Sequence, residues 1–137
     1  MAYRIRRVEY FHATVMDEPG EAYKVLSALA GLGVNLLAFT AVPVGPDRTQ
    51  LTLFPEDPGR MRSEAQKAGM ALDGPHRALL VQGDDELGAL ASVHEKIYRS
   101  SVNVYASSAI ADGAGKYGHL IYVRPEDFER AAKALEI

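Results

Sequence analysis

The chain has 137 residues, 47% of them hydrophobic and 24% charged, a balance that supports a packed core and argues against disorder. Its 15 basic and 18 acidic side chains leave a net charge of −3, without the electrostatic footprint that nucleic acid or an anionic membrane demands. Cysteine is absent, which removes disulfide frameworks, thiolate chemistry and cysteine-ligated metal centres.

Arg4, Arg6, Arg7 and Glu9 interrupt any apolar leader, and no segment reaches the roughly 18 uncharged apolar residues of a membrane helix. Neither export nor membrane spanning is therefore expected, and a cytoplasmic setting fits. Tyr3 to Arg7 alternate in polarity, and the arginines read as solvated surface. A first strand follows, with Phe11 and Ala13 facing inward and Tyr10, His12 and Thr14 outward. Asp17-Glu18-Pro19-Gly20 then opens a helix whose apolar stripe is Ala22, Val25 and Leu29. Gly33-Val34-Asn35-Leu36 leads into a strand over 34–42, Gly45-Pro46-Asp47 turns the chain, and 49–54 returns as a hairpin partner. Pro55-Glu56-Asp57 starts a second helix over 61–68, and Met70-Ala71-Leu72 is expected to be a short fourth strand before Gly74-Pro75 breaks the chain.

The pattern then repeats. Leu79 and Val81 match Phe11 and Ala13; Asp85-Glu86-Leu87-Gly88 matches the first turn; Leu90, Val93 and Ile97 match the first stripe. Ser101-Val102-Asn103-Val104 matches Gly33 to Leu36, and 88 less 20 and 103 less 35 both equal 68. A hairpin of strands 102–110 and 117–123 closes around Asp112-Gly113-Ala114-Gly115. Pro125-Glu126-Asp127 starts a last helix with Phe128, Ala131, Ala132 and Leu135 on one face. No residues remain for a fourth strand in the second copy, so Tyr3 to Arg7 are candidates to supply that edge. The expected modules are residues 1–74 and 75–137.

Strand–helix–strand–strand–helix–strand, with Asp17-x-Pro19-Gly20 followed by Gly33-Val34-Asn35, resembles the ACT domain, a regulatory module that binds amino acids. The second copy keeps Asp85, Gly88, Val102 and Asn103 but has Leu87 in place of the proline. The resemblance implies an α+β fold of two ferredoxin-like βαββαβ modules in tandem. Each would have an antiparallel sheet with helices on one face, the second lacking its last strand. It also implies an amino acid or close relative at a module interface, held by Asp17, Glu18, Pro19, Gly20, Asn35 and Leu36, with Asp85, Gly88, Asn103 and Val104 as the second set. Copy one, with the fuller motif, is expected to contribute most. A helix N-terminus suits a carboxylate, and asparagine can meet both charged ends of an amino acid.

The same residues serve equally as helix caps and turns without any ligand, which leaves a purely structural dimerisation or interaction module as the alternative. A small ferredoxin-like hydrolase or isomerase is the third reading, but it needs an arginine in the first loop, and Met16 to Gly20 holds none. His12, His76, His94 and His119 lack metal-ligand spacing, so neither a metal nor another cofactor is expected. Gly113-Ala114-Gly115-Lys116 joins two strands, unlike a phosphate loop, and Ser107-Ser108 has no partner at a recognisable spacing. The exposed Tyr10, His12 and Thr14 face lacks the aromatic and basic signature of RNA readers. The sequence thus points to a non-enzymatic regulatory protein that takes a small-molecule ligand and forms a homodimer, with a regulated protein as a further partner and neither nucleic acid nor membrane involved.

Overall fold

The computed structural model describes residues 3–137. In chain order they form β1 (Tyr3–Met16), α1 (Glu21–Gly31), β2 (Leu36–Pro43), β3 (Arg48–Pro55), α2 (Pro58–Lys67), β4 (Asp73–Asp84), α3 (Ala89–Arg99), β5 (Ala106–Ala111), β6 (Lys116–Tyr122), a 3-10 turn (Pro125–Asp127) and α4 (Phe128–Ala134). Where two sheets were expected there is one six-stranded sheet, ordered β2-β3-β1-β4-β6-β5. The β1–β3, β2–β3, β4–β6 and β5–β6 pairings are antiparallel.

By internal contacts the chain divides into two units, one of residues 9–76 and one that joins the N-terminal residues through Val8 to 77–137. The long strands β1 and β4 are each cut by this division. In the first unit, Phe11, Ala13, Leu51 and Leu53 pack against Leu29 of α1 and Met61 of α2, so both helices cover one sheet face. In the second, Leu79, Val81, Tyr117 and Ile121 meet Val93 and Ile97 of α3 and Phe128, Ala131 and Ala132 of α4 in the same way.

One edge of the second unit is supplied by the start of β1. Tyr3 and Ile5 pack on the second core, and Arg6 donates to the Gln82 side chain at 3.1 Å. Arg7 donates to both carboxylate oxygens of Glu129 at 2.9 and 3.0 Å and to the Ile137 carbonyl at 3.1 Å. Arg77 also reaches Glu129 at 2.9 Å, with its guanidinium 4.1 Å from the Phe128 ring centre. The two cations hold the Glu129 carboxyl below its ordinary range, Arg77 contributing first.

Three expected strands are corrected. Residues 70–72 form no strand, because the Met70 N–H returns to the Ala65 carbonyl at 2.9 Å beyond a left-handed Gly69, the closure of a helix end. Met70 and Leu72 are apolar because they pack on the core, and the fourth strand of the first unit is the start of β4. The strand expected from 102 begins at Ala106, since the Val102 N–H is bound to Ile97 at 3.4 Å as the closing contact of α3. The strand expected from 34 begins at Leu36 for the same reason: Val34 donates to Leu29 at 2.9 Å beyond Gly33, whose φ of 74° suits the left-handed turn. The outward face of the first strand is also not wholly exposed, because Tyr10 is buried against the Phe54 and His76 rings at 5.1 and 5.2 Å.

Candidate ligand site

The two strand-to-helix turns share one backbone design. In the first, Asp17 N–H donates to the Asp47 carbonyl at 2.9 Å, Glu21 N–H to Glu18 at 3.3 Å and Lys24 N–H to Gly20 at 3.0 Å. In the second, Asp85 donates to Gly115 at 2.9 Å, Ala89 to Glu86 at 3.1 Å and Ser92 to Gly88 at 2.9 Å, each pair 68 residues further on. Gly20 and Gly88 sit at the helix N-caps with φ of 85° and 82°, a left-handed conformation that strains any residue with a Cβ, and no side chain caps either helix. Of the first-turn N–H groups, those of Glu21 and Ala89 are bound within their own turns, and no side chain caps the others.

Beyond this common design the turns differ. Asn35 is exposed, and its Nδ2 donates to Glu56 Oε2 at 3.0 Å while its carbonyl accepts the Glu56 N–H at 2.8 Å, so it fastens the start of β2 to the end of β3. Asp17, Glu18, Pro19 and Gly20 are exposed, and Leu36 is half-buried on the first core. Asn103 is exposed, whereas Val104 packs on the second core. Neither asparagine lines the cavity found at the second turn.

That cavity, of about 490 Å³, lies against the second turn. Asp85, Glu86 and Gly88 form one end; Ala89, Leu90 and Ala91 of α3 and Ala109, Ile110 and Ala111 of β5 form the walls, together with Leu87 and Tyr117. The lining is mostly apolar, alanines alternating with the larger Leu87, Leu90 and Ile110. Tyr117 is buried, its hydroxyl has no hydrogen-bond partner, and burial raises its pKa, with Tyr3 and Glu86 adding to the rise. Of the expected site residues, the cavity therefore gathers Asp85 and Gly88. It also brings in α3 and β5 side chains that sequence reasoning missed, because only the β5–β6 register carries Ala109 and Ala111 opposite His119 and Tyr117.

On the same three elements, α3, β5 and β6, Ser107 gains partners that its spacing did not show. Its Oγ is 2.8 Å from His119 Nε2 and 3.3 Å from His94 Nε2. His119 is buried, and desolvation followed by the neighbouring His94 pushes its pKa down to about 4. The Gly113–Lys116 segment is a hairpin tip, with Asp112 Oδ1 accepting the Ala114 and Lys116 N–H groups at 2.7 and 3.1 Å. Among the described residues no helix is long and apolar enough to cross a membrane.

No family model and no curated protein matches the chain. Solved structures do match its fold. Protein BT0572 from Bacteroides thetaiotaomicron superposes with a TM-score of 0.80 at 17% identity, over 96% of this chain and 88% of that one. An aspartokinase structure of alpha and beta subunits gives 0.62 at 17% identity, over 98% and 95%. The ligand-free regulatory subunit of aspartate kinase from Thermus thermophilus gives 0.60 at 16% identity, over 97% and 93%. The chain thus has the fold of aspartate kinase regulatory portions, the ACT-type arrangement that its turn motifs resemble.

Proposed function

We propose that this chain is a non-catalytic regulatory module of the tandem ACT type, which binds a small aliphatic amino acid in the cavity at the second turn. The observation that carries the reading is the cavity itself. Its volume of about 490 Å³ lies within the roughly 300–1,000 Å³ typical of small-molecule sites. The uncapped N-terminus of α3 suits the ligand carboxylate, and Asp85 and Glu86 suit its ammonium group. Leu90, Ala109 and Ile110 offer an open apolar wall to an aliphatic side chain, and the buried Tyr117 hydroxyl is a polar group without a partner. Catalysis is disfavoured at the Ser107–His119 contact, since a histidine held near 4 is a poor general base at neutral pH.

Regulation follows from linkage: a ligand that binds one packing better than another shifts the balance by its differential affinity, and a protein partner reads the result. The homodimer reading loses its first argument, because β1 occupies the second unit's edge; the sheet edges that remain are β2, with Leu37, Phe39 and Val42 exposed, and β5, with Ile110 exposed. The structural-module alternative is favoured in the first unit, where Asn35 is already bound to Glu56.

A thermal-shift screen of the free amino acids at millimolar concentration tests the proposal. A rise with valine, leucine or isoleucine is expected, and it should vanish in Ala91→Tyr, which fills the cavity from an exposed helix position, yet persist in Asn35→Ala. No rise with any amino acid would leave the structural-module reading standing instead.

A further inference from the structure

The four histidines form two ring pairs, and the pairs are unlike. In the first unit the rings of His12 and His76 lie 5.3 Å apart, but His12 Nδ1 faces Thr52 Oγ1 at 3.3 Å and His76 Nε2 faces Asp73 at 3.1 Å. In the second unit His94 of α3 and His119 of β6 turn the same ring nitrogen toward each other, with Nε2 atoms 3.2 Å apart. Ser107 Oγ of β5 completes a triangle, 2.8 Å from one nitrogen and 3.3 Å from the other. Hydrogen bonds can satisfy the three atoms in series, His119 Nε2–H donating to Ser107 Oγ and the Ser107 hydroxyl donating to His94 Nε2. That series leaves the two Nε2 atoms facing each other without a bond of their own.

A single cation accounts for all three atoms. Imidazole nitrogens bind zinc-like ions at about 2.0–2.1 Å, so nitrogens 3.2 Å apart subtend an angle of about 102° at a shared ion, near tetrahedral. With each ring centre about 1.2 Å behind its nitrogen on the same line, that geometry predicts centroids about 5.0 Å apart. The centroids are 5.1 Å apart. Ser107 Oγ lies within reach of the same point, which places three donor atoms on one side of the ion and leaves the other side open.

The fold does not require polar groups there. At the offset of 68, His94, Ser107 and His119 correspond to Leu26, Phe39 and Leu51 of the first copy, and the strand register agrees, Ala41 pairing with Leu51 as Ala109 pairs with His119. Leu51 is fully buried and Leu26 packs on the first core. An apolar trio in one copy is thus a donor trio in the other. We propose that His94 Nε2, His119 Nε2 and the Ser107 hydroxyl hold a divalent transition-metal ion of the zinc class, with its remaining positions open to water or an exogenous ligand. Two imidazoles suit such ions and not calcium or magnesium. No group of three His, Cys, Asp or Glu forms among the described residues, so a chelator should strip the ion readily.

The test uses the full chain, free of any purification tag, stripped with chelator and titrated with cobalt(II), then with zinc(II). Uptake of one cobalt per chain with the visible bands of a four-coordinate ion, displaced by zinc, is expected. His94→Gln, on a half-exposed helix position, should keep its circular dichroism and weaken uptake by at least about tenfold. His76→Gln, in the other histidine pair, should bind as the parent does. Absence of stoichiometric uptake by the parent, or equal uptake by the two variants, would overturn the proposal.

Discussion

The two copies carry the same backbone and different surfaces. Each turn closes with three hydrogen bonds at matching positions and a left-handed glycine at the N-cap, so that geometry belongs to the fold. The side chains above it diverge. Copy one has Pro19, Tyr23, Ala41 and Pro43 where copy two has Leu87, Ala91, Ala109 and Ala111, and the second set lines a cavity. Copy one has Leu26, Phe39 and Leu51 where copy two has His94, Ser107 and His119. The copy with the fuller turn motif is therefore not the one whose turn lines this cavity. The motif reports how the strand enters the helix.

The largest way to break the comparison is to remove residues 1–8. This strips Tyr3 and Ile5 from the second core and Arg7 from Glu129, and the lost apolar burial alone is worth about 3–5 kcal/mol. Hydrogen exchange should then rise sharply at β6 and the second half of β4, while β2 and β3 keep their protection. Equal loss in both units would show that the units do not unfold separately.

Exchanging one position of each trio comes next. Leu51→His places a polar ring at a fully buried site and should cost about 3–5 kcal/mol, whereas His119→Leu should be neutral or stabilising at neutral pH, by up to about 1 kcal/mol. Denaturant midpoints of the two variants check this, and similar losses in both would mean that the polar trio is needed for folding.

Acid provides a third comparison. With the folded His119 pKa near 4 and the unfolded one at 6.5, the unfolded chain takes up its proton first as pH falls. Stability is thus fully present above about 6.5 and declines toward about 4, by roughly 3 kcal/mol from this group. The decline should flatten in His119→Leu, and an unchanged profile in that variant would assign the acid sensitivity to another group.

The smallest effect lies at the helix ends. Ser101 occupies, with φ of 59°, the left-handed position that Gly33 holds in copy one, so Ser101→Gly should stabilise by about 0.5–1 kcal/mol. Gly33→Ala should destabilise by a similar amount, with Arg60 moving aside from the new Cβ. Thermal midpoints read both.

The repeat was legible because its signals are local: turn glycines, helix stripes and hairpin tips recur at a constant offset. The N-terminal edge strand was legible as a candidate, since Tyr3 to Arg7 alternate in polarity ahead of the repeat. Residues 70–72 misled because an apolar segment closing a helix end has the composition of a short strand, and only the Met70 to Ala65 hydrogen bond distinguishes them. The single sheet is not visible in the local pairing inside each copy, because it rests on β1 and β4, which contribute residues to both units. The donor trio was missed because its members come from three elements, joined by register and not by spacing. A signal did exist: set against copy one at the offset of 68, two histidines and a serine stand where leucines and a phenylalanine are expected.

The central claim is that copy two, and not copy one, holds the ligand. It is tested most directly by titrating the uniformly labelled chain with leucine, isoleucine and valine in turn while following backbone amide resonances. The account predicts saturable shifts for at least one of them, concentrated at Gly88, Ala89, Leu90, Ala109 and Ile110, with Gly20, Ala22 and Ala41 unmoved. Shifts centred on Gly20 and Asn35, or no saturable shift from any of the three, would contradict it.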